Sequence, residues 1–170
     1  MAINTLTLIA SNTVGSAGAS SVTFSSIPAT YTDLKVVCST RDSDTSGAVV
    51  AMSFNGVTTN LSSRSLLGSG TAASSTSSTT AFAINARSDS GDRTASTFGN
   101  DEFYIPNYAG SNFKSVSVDG VEENNATAAY MNLTAGLWSS TAAITSITLT
   151  PGVANFKEFS TFYLYGIKNS

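Results

Sequence analysis

Two polar stretches place carboxylates close enough along the chain to share a cation: Asp42-Ser43-Asp44, and Asp89 with Asp92. Calcium takes roughly six to eight oxygen ligands, and either pair alone offers two side chains without the spacing of an EF-hand loop. The expected state is a solvated loop with local Asx turns, or an ion pair to Arg41 or Arg93, and no bound metal. Asp101 and Glu102 are adjacent, so in a strand they point to opposite faces and make poor partners for glycosidase chemistry. The sequence contains no histidine, which removes the commonest general base, the triad relay and the usual zinc ligand together. Cys38 is the single cysteine and lies in Leu34-Lys35-Val36-Val37-Cys38, where it reads as a small buried hydrophobe. Glu122-Glu123-Asn124-Asn125 reads as a solvated turn. No Gly-rich stretch resembles a phosphate-cradling loop. No catalytic residue and no cofactor are expected.

Aromatic residues are the other chemistry-bearing set. Tyr104, Tyr108, Tyr163, Tyr165 and Trp138 could form a sugar-stacking platform or a packing face between subunits. Trp138, beside Gly136 and Leu137, reads as core. In the last strand, residues 159–168, Phe162 and Leu164 fall on one face while Phe159, Thr161, Tyr163 and Tyr165 fall on the other. Aliphatic and aromatic groups on both sides mark a strand covered on both faces. Tyr163 and Tyr165, with Phe159 and Tyr108, are therefore the candidate interface residues.

The elements that must position these groups are strands. Period-two alternation predicts ten of them, at residues 3–14, 21–27, 31–40, 48–54, 81–86, 97–108, 112–121, 126–138, 143–150 and 159–168. Pro28, Pro106 and Pro151 close three, since proline cannot donate to a ladder. Asn55-Gly56 is a type I′ hairpin signal, predicting that residues 57–61 pair back on 49–54. A helix competes only at 126–138, where the Thr-Asn-Leu-Thr-Ala-Gly run favours extended chain. Residues 68–80 are a low-complexity run of Gly, Ser, Thr and Ala, expected to form a long surface loop. The predicted fold is all-β: a single two-sheet sandwich spanning 1–170, jelly-roll or Greek-key like, with about ten short strands.

The chain is long enough to bury a core without staples. Charged residues make up 11% and the net charge is −3 with no run of like charge, so the basic stripe needed to displace phosphate counterions is missing and nucleic acid is excluded. No window approaches the ~18 apolar residues of a membrane helix. The first ten residues lack the basic and long apolar regions of a signal peptide, so the chain is expected to fold in a cytoplasm. The N-x-[ST] matches at Asn60, Asn125 and Asn132 are then chance products of composition.

Four segments carry a family resemblance: Ile9-Ala10-Ser11-Asn12-Thr13-Val14-Gly15; Phe24-Ser25-Ser26-Ile27-Pro28-Ala29-Thr30-Tyr31-Thr32-Asp33-Leu34; Ile105-Pro106-Asn107-Tyr108-Ala109-Gly110; and Leu164-Tyr165-Gly166-Ile167. Together the chain resembles small virion structural proteins of tailed bacteriophages. The resemblance implies a β-sandwich head decoration or cement protein, bridging subunits of the major capsid protein, as a homotrimer at a lattice symmetry axis. Its location would be the virion, after synthesis in the host cytoplasm. The alternative within the same resemblance is a tail or head fibre domain, lectin-like, whose tyrosines and polar loops contact host glycans. Decoration requires a broad apolar-plus-hydroxyl face; a lectin requires a groove with a tyrosine or Trp138 at its floor.

Overall fold

A computed structural model describes residues 5–45, 48–126 and 128–168. Ile3, Ser46, Gly47 and Thr127, which the sequence assigns to the first strand, the Arg41 loop and the 126–138 strand, lie outside them. Twelve strands form two antiparallel sheets: β1 (Leu6–Thr13), β2 (Val22–Phe24), β3 (Asp33–Thr40), β4 (Val49–Phe54), β5 (Leu61–Gly68), β6 (Ala73–Ser78), β7 (Asn85–Arg87), β8 (Gly99–Ile105), β9 (Lys114–Glu122), β10 (Tyr130–Trp138), β11 (Ile147–Pro151) and β12 (Thr161–Ile167). No helix among the described residues is long and apolar enough to cross a membrane.

The large sheet runs β1-β12-β3-β8-β9-β10-β5-β6 and the small one β2-β11-β4-β7. Strands β2 to β5 alternate between the sheets, and β10 to β12 alternate again, so the chain winds as a jelly roll does. Alternation supplies the core. In β9 the inward set Lys114, Val116, Val118, Gly120 and Glu122 is buried while Ser115, Ser117, Asp119 and Val121 are exposed. From the small sheet Phe54 meets Trp138 of β10 with ring centroids 5.3 Å apart, and Phe156, between β11 and β12, meets Phe162 of β12 edge-on at 4.9 Å. Trp138 is core, as its neighbours suggested.

Nine of the ten expected strands form in place; the one expected at 81–86 is shifted to Asn85–Arg87, with residues 81–84 taken up by a turn and bend, and two more strands, β5 and β6, join them. Residues 73–78 are a strand rather than loop, because the backbone of Ala73–Ser78 pairs with β5 over six residues although its side chains are mostly exposed. Asn55 and Gly56 do take positive φ, 53° and 70°, but the hairpin stops at one Phe54–Val57 bridge. The chain after that turn crosses to the large sheet as β5, leaving β4 to pair with β11 and β7. A turn signal sets a reversal; it does not choose the partner strand.

Close approach explains one glycine. A Cβ on Gly166 would lie 2.3 to 2.5 Å from ring atoms of Tyr31, whose aromatic face covers the β12 backbone. Gly166→Ala should therefore cost about 1–3 kcal/mol through overpacking. The same change in a Tyr31→Ala background should cost much less, and chemical denaturation of the two single variants and the double variant measures that coupling.

Candidate functional site

Two regions concentrate groups that the fold has not spent on its core. The first is the outward face of the large sheet. Register aligns Leu66, Leu133, Asp119, Glu102, Val37 and Tyr163 in one row across six strands. The flanking rows carry Met131 with Val121 on one side, and Ala135, Ser117, Tyr104, Lys35 and Tyr165 on the other. Leu66 is 59% exposed, Met131 56% and Leu133 50%. No second layer lies over them among the described residues.

This face is concave at the β5–β10–β9 side, where a groove of about 670 Å³ is lined by Leu66, Leu133, Ala135, Ser115, Ser117, Tyr104 and Pro106, with Arg64 among its walls. Tyr104 is the tyrosine that a lectin reading requires at a groove. Its hydroxyl, however, donates to Asp33 Oδ2 at 2.7 Å, and that bond with burial raises its pKa. Apart from Arg64, the remaining walls are aliphatic or hydroxylic. Lys35 and Glu102 neutralise each other on the sheet at 2.7 Å.

At the far end of the same face, Tyr163 and Tyr165 stack with centroids 6.4 Å apart, both half-buried, and Tyr165 pairs with exposed Leu8 of the edge strand β1. These two candidates share a surface. Phe159 does not join them, because β12 begins at Thr161 and Phe159 sits on the preceding turn with φ 71°. Tyr108 is not on a surface at all. It is fully buried, its hydroxyl donates to the Pro28 carbonyl and accepts the Tyr31 amide at 3.4 Å, so it locks the Pro28 corner to the β8 exit.

The second region is a polar cluster buried at one end of the sandwich. The stretches expected to be solvated are only partly so: Ser43, Asp92, Glu123 and Asn125 are exposed, but Asp42, Asp89 and Glu122 are fully buried and Asn124 nearly so. Arg87 grips Glu122 through Nε and Nη2 at 2.9 and 2.8 Å, Arg93 reaches its other oxygen at 3.4 Å, and Tyr130 lies 4.5 Å beneath the Arg87 guanidinium. Burial nonetheless raises the Glu122 pKa. Asn124 donates to Asp89 Oδ1 at 3.0 Å. Buried Asp101 accepts from the Arg87 amide and from the Cys38 thiol, and burial raises both acidic groups well above their usual ranges. Cys38 is thereby a buried donor, in keeping with its apolar segment.

Arg41 organises this end. Its guanidinium makes no ion pair with Asp42 among the described contacts; Nη1 donates to the carbonyls of Thr94 and Thr97 and to Thr97 Oγ1, while Nη2 donates to the carbonyls of Gly91 and Arg93, all within 3.3 Å. The expected Arg93–Asp92 ion pair does form, at 3.6 Å. Backbone pairing joins Asp42 to Asp89, the Asp42 amide donating to the Asp89 carbonyl at 2.9 Å. Each of these aspartates keeps one buried carboxylate oxygen without a partner. Among the described residues no three acidic or thiol side chains converge as a metal centre needs. Sequence reasoning missed the cluster because the charges alone resemble solvated loops; only long-range pairing buries them.

Burial pushes the Asp42 carboxyl up to about 6, with the Asp44 amide opposing the shift and the charges of Asp44 and Glu122 adding to it. The folded state thus holds a proton that the unfolded chain releases near pH 4. Between those values the folded state binds more protons, so this group's contribution to stability is full below about pH 4 and lost as pH rises through about 6. Asp42→Asn should therefore raise the melting temperature relative to the parent at pH 7.5 and leave it nearly unchanged at pH 4, in paired thermal melts. Comparison with protein-family models, curated proteins and solved structures finds no match to this chain.

Proposed function

We propose that the protein is a bacteriophage virion component that decorates the capsid, docking through the open face of its large sheet. The observation that carries this reading is the uncovered patch of Leu66, Leu133 and Met131 beside serines on the same sheet. A contiguous apolar patch with hydroxyl neighbours and little charge is the surface that protein contacts select, since few long charged side chains must be desolvated or ordered there. The 11% charged composition supports the same conclusion. Each copy would bridge neighbouring subunits of the major capsid protein, and the surface shared in the assembled lattice raises the free energy of rupture.

Self-association belongs to the other end of the face, where Tyr163, Tyr165 and Leu8 lie together. We place the contacts of a homotrimer there. Light scattering should show a smaller assembly for Tyr163→Ala or Tyr165→Ala with little change in melting temperature; an unchanged mass with a lowered melting temperature would make these tyrosines simple packing residues.

Capsids assembled without the protein test the docking role. Incubation followed by sedimentation and image reconstruction should show saturable binding at regular lattice positions. Leu133→Glu or Leu66→Glu should weaken that binding at least tenfold while the fold survives, because both side chains are exposed. Failure of the parent protein to bind, or parent-like binding by both variants, would count against the reading.

A further inference from the structure

A second cavity, of about 580 Å³, opens at the Arg41 end of the sandwich, away from the sheet face. Three of its lining residues hold left-handed backbone: Gly18 at φ 72°, Ser96 at 64° and Phe159 at 71°. Glycine adopts this freely, but a bulky aromatic does so only where its surroundings impose it. Here they do. Ser160 Oγ accepts the Arg41 amide at 3.1 Å and donates to the Arg41 carbonyl at 3.0 Å, the Lys157 amide donates to that carbonyl at 2.7 Å, and the Phe159 amide donates to Val14. The turn is pinned on both sides, and its product is a phenyl ring 67% exposed at a cavity wall.

The rest of the wall mixes apolar groups with polar side chains, several of which are unspent. Phe98 lines the cavity with Phe159, and the side chains of Asn155, Lys157 and Glu158 have no hydrogen-bond or ion-pair partner among the described residues. Arg41 also borders it, with its guanidinium already committed to carbonyls of the 91–97 loop. The free groups are therefore an amide, one cation and one anion, with no net charge, beside exposed aromatic surface. An anionic ligand such as a phosphate would require a cationic excess that is missing here. A pyranose matches: its C–H face packs on an aromatic ring, and its hydroxyl edge both donates and accepts toward amide, ammonium and carboxylate. The volume falls within the range of small-ligand sites.

We propose that this cavity binds a pyranose of an uncharged surface glycan, with Phe159 as the stacking platform and Asn155 as a positioning hydrogen-bond partner. The site is independent of the capsid-docking face, so either assignment can fail without the other. Saturation-transfer NMR on the intact protein with glucose, galactose, mannose, N-acetylglucosamine and their β-linked disaccharides tests it. At least one sugar should receive saturation through its ring protons, with affinity falling tenfold or more in Phe159→Ala and severalfold in Asn155→Ala, at unchanged melting temperature. Absence of transfer to every sugar in the panel overturns the proposal. So does binding that survives both substitutions, or a change in oligomeric mass in Phe159→Ala, which would assign the ring to a protein contact.

Discussion

One buried guanidinium, that of Arg41, holds an end of this molecule in shape. A planar cation with several donors cannot be buried without acceptors for them, and the carboxylate of its chain neighbour Asp42 is not among those that accept from it. The acceptors are instead backbone carbonyls of the 91–97 loop, a segment without ladder pairing of its own. The Arg41 backbone at the same time anchors Ser160 and the turn that precedes β12. Two distant loops are thus referred to one residue. The cavity lies between them.

Around that anchor the fold confines charge to a few satisfied or nearly satisfied partners. Glu122 is held by Arg87 and Arg93, Asp89 by Asn124, and Asp101 by an amide and a thiol. Asp42, Asp101 and Glu122 hold protons more tightly than in water, because desolvation disfavours their charged forms more than the neighbours repay. With most of the sparse charge consumed inside or paired on the sheet, the outer surface is left to hydroxyls and aliphatics. A surface of that kind contacts other protein at low desolvation cost.

The two candidate surfaces differ in the way their chemistry differs. The sheet face is broad and built from regular strands, and beside its aliphatics it carries hydroxyls, Asp119 and the Lys35–Glu102 pair. The end cavity is built from irregular backbone fixed by specific hydrogen bonds, and it offers an amide and charges in fixed places. Broad contact suits a lattice neighbour; fixed donors and acceptors suit a small polyol. A virion component with both would bind its capsid on one side and present the other outward.

Sequence by itself determined most of the strands, the reversal at Asn55-Gly56, the burial of Trp138 and Cys38, and the exclusion of histidine chemistry. These follow from local rules: period-two alternation, proline's missing donor, the positive φ of Asn-Gly, and composition. Tertiary structure alone decided which strands pair and which face is covered. Tyr108 and Tyr104 sit four residues apart, yet one is locked in the core and the other lines a groove. Alternation says that faces differ without saying what lies over each. The Ala73–Ser78 edge strand exists because β5 offers it a ladder, a contact no apolar pattern announces. Phe159 leaves the last strand because Ser160 is claimed by Arg41, 119 residues away. Such long-range hydrogen bonds have no local signature, and the burial of Asp42, Asp89 and Glu122 depends on them.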